Sequence, residues 1–287
     1  MNGTIINCFC CWSDFLGFSD NFEKGRWTFS SEPSQKNIER LLGIWSFLHA
    51  THSPQAEVSI FLNDGVARTF DITEETKNPK SVVLWFVLAC QHHLDCSRND
   101  VVNGFPGLRG VMSYGERVQL GEETQHLSDY LYGSPEAHAR FGARVCVYSP
   151  KETQLNLAFA RAYIIENAGA CAGLKGPGFF VDGAALNSLE LLLNNKCSLE
   201  GIVSPNAIEP VTRLYKVERL ADDKAFRFCV LQKTRNDFEQ IVEFTFAVPE
   251  IQFSRRGIIT GIHRLTNIHF NPELMDGSKN VILPNLH

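Results

Sequence analysis

Trp12-Ser13-Asp14-Phe15-Leu16-Gly17-Phe18-Ser19 carries an apolar, strand-like run into an acid and then into a glycine-containing turn. A second stretch, Phe61-Leu62-Asn63-Asp64-Gly65-Val66, repeats the pattern. Asp-Gly between two apolar runs is a hairpin signal, so Asp64 is expected in a tight loop at a strand end. Each carboxylate can then sit where backbone amides and a divalent ion meet a phosphate chain, the layout of a two-metal phosphoryl-transfer site. Asp20 follows the first motif without a Gly-Phe of its own and reads as a helix-starting or hydrogen-bonding residue.

Working outward, residues 4–12 read as a buried strand and 35–50 as a helix, with Ile38, Leu41, Leu42, Trp45 and Leu48 at helical spacing. Val58–Leu62 and Val66–Phe70 form the hairpin arms. Pro79 and Ser81 introduce an apolar helix from 81 to about 94, and Leu108–Gly115 is strand-like, with glycines where a bulky side chain would obstruct a ligand or a neighbouring backbone. A polar segment at 121–129 precedes helical patterns near 135–141 and 153–167, the second with Leu155, Phe159, Ala162 and Ile165 on one face. Then come a glycine-rich loop (169–178), a short strand (179–181) and a helix (182–195) started by Asp182. Extended segments at 213–219, 225–231 and 241–248 follow, and Ile258–Phe270 is expected to add a terminal helix. The expectation is an α+β fold with a catalytic region over 1–200 and a β-rich extension over 201–287 packed on the same domain.

The chain has 287 residues, 44% hydrophobic and 21% charged, enough to bury a substantial core. A net charge of -5, with no long basic run among 27 Lys and Arg, argues against long nucleic acids but permits a nucleotide. The nine cysteines are an odd number and several lie in apolar segments. Cys8, Cys10 and Cys11 lack a second thiol pair or a nearby histidine to complete a zinc site, so buried reduced thiols in a reducing compartment are expected. Ser81–Cys90 is too short to span a bilayer, and no leader-like segment opens the chain, so a cytoplasmic location without membrane insertion is expected. His92-His93 point in different directions on a helix and read as a surface or partly packed pair. Gly173–Gly178 lacks the Gly-Lys-Ser/Thr ending of a P-loop.

Together the Asp14 turn, the Asp64 hairpin and the Arg109-Gly110 strand with Gly115 resemble the class III nucleotidyl cyclase catalytic domain. The likeness is closest to the bacterial Pycsar antiphage cyclases that make cyclic UMP or cyclic CMP. It covers residues 4 to about 170, with 179–193 as a closing strand and helix. It implies a ferredoxin-like domain, a central mostly antiparallel sheet flanked by helices. It also implies attack of the 3′ hydroxyl of UTP or CTP on its own α-phosphate, giving a 3′,5′-cyclic nucleotide and pyrophosphate.

By the same resemblance two Mg2+ or Mn2+ ions per active site are held by Asp14, Asp64 and the Phe15 carbonyl, while the amides of Leu16, Gly17 and Phe18 meet phosphate. Asn156 and Arg161 take the places of the ribose and transition-state residues, although their separation exceeds the family's by one position. Arg109 contacts phosphate or structures the dimer. Trp12, Phe18, Tyr114 or Asn63 could line a pyrimidine site, with core packing as their other use; Lys24 has no obvious partner for purine recognition. The implied partners are a second copy, forming a homodimer with composite active sites, the nucleoside triphosphate, and a separate cyclic-nucleotide effector. The alternatives are a catalytically silent nucleotide- or partner-binding module, a cyclase using ATP or GTP, and, more remotely, a polymerase palm.

Overall fold

A computed structural model describes residues 3–50, 57–120, 155–193, 200–202, 211–220, 225–233, 237–249 and 252–271. The expected features at 121–129 and 135–141 lie outside the described residues. Strand β1 (Gly3–Phe15) is flanked by β3 (Gly65–Ile72) and β4 (Leu108–Leu120), both antiparallel to it, and β2 (Glu57–Leu62) closes the hairpin on β3. Next to β4 runs β5 (Gly178–Asp182), the only parallel neighbour among the described strands. The mixed sheet continues through β11 (Ile258–Phe270), β9 (Phe238–Phe246), β8 (Ala225–Lys233), β7 (Val211–Leu220) and β6 (Glu200–Ile202), with β10 (Gln252–Arg255) paired to β11.

Strand alternation divides β1 between two layers. Cys8, Cys10 and Trp12 pack towards helix α4 (Leu157–Asn167). Phe9, Cys11 and Phe15 face the opposite layer of α2 (Glu32–Ala50), α3 (Pro79–Val102) and α5 (Gly183–Leu193), while α1 (Phe18–Lys24) follows the Asp14 turn. In that layer Trp85 stacks on Phe70 at 5.4 Å, and Phe86 meets Phe228, Phe244 and Phe246 of the C-terminal strands at 5.0 to 6.0 Å. The C-terminal strands therefore close over α3 and α5. Burying each such aromatic contributes about 1.5–3 kcal/mol.

Three expectations are corrected here. Helix α3, capped by the Asn78 side chain on the Ser81 amide and opened by Pro79, runs to Val102 rather than about 94. Its polar second half persists because Cys96 and Asp100 are buried, the latter by an ion pair with Arg40. Leu155 precedes α4 and is 62% exposed, because Asn156 caps the Phe159 amide and the buried face is Ala158, Ala162, Ile165 and Glu166. Ile258–Phe270 is a strand, not a helix: Ile262–Arg264 pair with β5 and Leu265–Phe270 with β9. Its isoleucines suit a half-buried pleated surface better than a helix.

The six buried described cysteines, Cys8, Cys10, Cys11, Cys90, Cys96 and Cys229, are all free, and Cys171 is free and exposed. Burial pushes the Cys8 thiol up to about 12 and Cys11 to about 11, which keeps both protonated and poor as ligands. Cys146 and Cys197 lie outside the described residues. His92 and His93, expected as a surface or partly packed pair, are both packed and buried, at 5% and 4% exposure. Both faces of α3 are covered at this point: His93 packs on Phe179 of β5 and His92 on Phe47 of α2. No helix among the described residues is long and apolar enough to cross a membrane.

Candidate functional site

Asp14 ends β1 with Gly65 of β3 opposite it on one side and Arg109 of β4 on the other. Asp64 occupies the β2–β3 turn after Asn63, whose φ of 49° lies in the left-handed region. The Phe15 amide donates to the Asp64 carbonyl at 2.8 Å, which fixes the turn against the end of β1. The two acids are thereby brought to adjoining strand ends. Trp12 lies over Gly65, where a Cβ would overlap the indole, so a glycine is required at the position following Asp64.

The half-buried Asp14 carboxyl is pushed up to about 7, by burial first and then by the neighbouring charges of Glu166 and Asp64; Arg109 and Arg40 pull it back only partly. Glu166 was not anticipated as a site residue. It sits buried near the end of α4 and accepts from Arg109 Nε at 2.8 Å. Arg109 also donates to the Leu174 carbonyl at 3.3 Å. Its guanidinium, expected on phosphate or at the dimer contact, thus ties β4 to α4 and the loop before β5. A buried acid in the apolar run Tyr163-Ile164-Ile165-Glu166 was the available sequence signal.

Behind the turn, Arg40 of α2 pairs with Asp100 of α3 through Nε and Nη2, both at 2.7 Å, and donates to the Leu16 carbonyl at 3.1 Å. Asp100 accepts in turn from the Gly107 amide at 3.0 Å. The Leu16 amide donates to the Gly107 carbonyl at 3.1 Å, so this amide, expected on phosphate, is already committed. Gly17, at φ 65°, turns the chain into α1, with Phe18 as its first residue and Asp20 in its first turn. This buried network braces the Asp14–Gly17 turn from behind.

The remaining expected residues are dispersed. Asn156 is 3% exposed, caps α4 through the Phe159 amide at 2.8 Å, and donates to Thr69 Oγ1 at 3.4 Å; it is a buried cap rather than a ribose contact. Arg161 pairs through Nε with Asp182. Asp182, fully buried, also accepts from Ser113 Oγ at 2.8 Å and from the Ala185 amide at 2.8 Å. Trp12 is 4% exposed and edges onto Phe159 and Tyr163, while the half-buried Tyr114 packs on Phe9 in the other layer. Phe18 packs on Phe22 at 5.2 Å, Asn63 is exposed, and Lys24 closes the last turn of α1. Gly110 gives room to the His93 ring and Gly115 to the backbone at Ala158, so these glycines serve internal packing.

Among the described residues no group of three or more His, Cys, Asp or Glu could hold a metal ion. Asp14 and Asp64 form a smaller set. With the Phe15 carbonyl they are the oxygen donors that could hold a hard cation taking its other ligands from phosphate and water.

No protein-family model matches the chain, and no curated protein matches it significantly. Among solved structures it is similar to the adenylyl cyclase CyaB from P. aeruginosa, at 11% identity and a TM-score of 0.37, over 93% of this chain and 97% of that one. It is also similar to the guanylyl cyclase Cya2, at 11% identity and a TM-score of 0.39, over 94% and 96% of the two chains. A third similarity is to a bacterial light-regulated adenylyl cyclase, at 12% identity and a TM-score of 0.40, over 83% of this chain and 55% of that one. Likenesses of this size decide neither activity nor substrate.

Proposed function

We propose that this chain is a metal-dependent nucleotidyl cyclase that converts a nucleoside triphosphate to its 3′,5′-cyclic nucleotide and pyrophosphate. One observation carries the reading: Asp14 and Asp64, fifty residues apart in sequence, meet at adjoining strand ends with their turns hydrogen-bonded together. Asp14, Asp64 and the Phe15 carbonyl would hold Mg2+ or Mn2+, which would supply acidification of the 3′ hydroxyl and charge neutralisation on the triphosphate. Asp14 and Asp64 orient the reacting phosphate. Gly17 and the opening of α1 shape the turn beside it, and the Arg40–Asp100 network holds that turn still before substrate arrives.

Arg161 is the donor available for charge developing on the α-phosphate, and a homodimer with composite sites is the assembly that brings it there. UTP or CTP is the substrate we favour, on the sequence resemblance. In this reading the product is an antiphage second messenger for a separate effector, and the enzyme works in the cytoplasm. A silent nucleotide-binding module is the second reading, favoured by the engagement of both Arg109 and Arg161 by carboxylates within the chain.

The test is product formation from ATP, GTP, CTP and UTP with Mn2+, resolved by mass spectrometry, for wild type and Asp64→Ala. A cyclic nucleotide from one triphosphate, lost in the variant, is expected. Nucleotide binding with no turnover of any triphosphate would instead select the silent module.

A further inference from the structure

Arg161 is anchored at only one point of its guanidinium. Its Nε is paired with the Asp182 carboxylate, the side chain is 24% exposed, and among the described residues neither Nη1 nor Nη2 has a protein acceptor. Asp182 is itself immobilised: its side chain has no exposure, Oδ1 takes the Ala185 amide at the start of α5, and Oδ2 takes Ser113 Oγ from β4. A buried carboxylate with three fixed donors is a rigid base. The arginine on it loses little further freedom when its terminal nitrogens meet an oxyanion.

The position on the sheet adds a second constraint. Arg109 stands opposite Asp14, whereas Ser113, which bonds Asp182, lies four residues further along β4. At about 3.3 Å per strand residue that is about 13 Å. With Nε held by Asp182, the Nη groups of Arg161 are offset from the Asp14–Asp64 pair of their own chain and are available to a phosphate bound by a second copy.

We propose that Asp182, locked by Ser113 and the α5 amide, is a positioning residue that presents the Arg161 guanidinium to the reacting phosphate held by a partner copy. This rests on the cyclase reading above. Asp182→Asn is the informative change: asparagine keeps an oxygen for the Ala185 amide and can still bond Ser113, but it turns an NH2 towards the Arg161 Nε–H, and two donors cannot pair. The cap survives and the anchor is lost.

The experiment compares wild type, Asp182→Asn, Arg161→Met and the double variant as full chains. It measures kcat and KM with Mn2+ and the triphosphate that turns over, and follows the 15Nε–H resonance of Arg161 with and without tripolyphosphate. Expected are a fall in kcat of about 100-fold in Asp182→Asn with KM within about twofold, and a double variant no slower than Arg161→Met alone. The protected Nε–H signal of wild type should disappear in Asp182→Asn. Unchanged kcat with only a lower melting temperature, or strictly additive losses, overturns the proposal. Should wild type make no product, the cyclase reading fails by itself. The positioning role then stands if tripolyphosphate shifts the protected Arg161 signal of wild type and that signal is lost in Asp182→Asn, and falls if tripolyphosphate leaves the wild-type signal unmoved or the signal survives in Asp182→Asn.

Discussion

Asp14 is a carboxyl whose folded-state pKa, about 7, lies above its ordinary value of 3.8. Its linkage contribution is therefore fully present below pH 3.8 and is lost as pH rises through about 7. In metal-free protein, Asp14→Asn is expected to raise stability at pH 8 by on the order of 2 kcal/mol, after allowing for partial solvent screening, and to change nothing at pH 3.5. Urea denaturation at the two pH values checks this, and saturating Mn2+ should reverse the order of the two proteins at pH 8. Gly110→Ala presses a methyl to within 2.6 Å of the His93 ring, which already bonds Ser13 at 2.9 Å, and should cost about 2 kcal/mol in the same assay. Asp14 and Asp64 were legible because an apolar run ending in an acid and a turn is a local pattern. Glu166 and Asp182 show the same pattern, but their partners Arg109, Arg161 and Ser113 lie 21 to 69 residues away. Nothing local distinguishes an acid that anchors an arginine from one that begins or ends a helix.

Among the elements, α3 holds the molecule's layers together and carries its buried histidines. Burial depresses the pKa of His92 and His93 to about 4 from 6.5. These groups therefore contribute stability above pH 6.5 that is lost as pH falls through 4. The denaturation midpoint of wild type should drop across that window, and His92→Phe, which keeps a ring against Phe47, should flatten the drop. A midpoint independent of pH over this range would show that the histidines are hydrated in solution. Hairpin β2–β3 and helix α2 follow from turn chemistry and periodicity. The last two turns of α3 do not, because Asp95, Ser97, Arg98 and Asn99 read as surface until Arg40 arrives from α2 to bury Asp100. β11 was misread for a related reason. Ile258, Ile259, Ile262 and Leu265 satisfy a helical spacing, and the partners that make them a strand, β5 and β9, come from distant parts of the chain.

Over the whole molecule, the strands after residue 200 complete the packing of α3 and α5. Phe86→Ala opens the contact to Phe228, Phe244 and Phe246 and should cost about 3–5 kcal/mol. A fragment ending at residue 200 is expected to be insoluble or to bind a hydrophobic dye strongly, since it uncovers the β5 edge together with the Phe86 layer. A monodisperse, cooperatively melting 1–200 fragment would show instead that the first region folds alone. The β-rich character of this part was visible in its composition, but not where it docks, which depends on contacts between Phe86 and residues more than 140 positions later. β11 is also the partner that closes the sheet beside β5. During synthesis on a ribosome, then, the nascent chain must keep its aromatic layer and an open strand edge waiting until residue 270 has emerged. Production of this protein should consequently be limited by chaperone supply and translation speed more than by the stability of the finished fold.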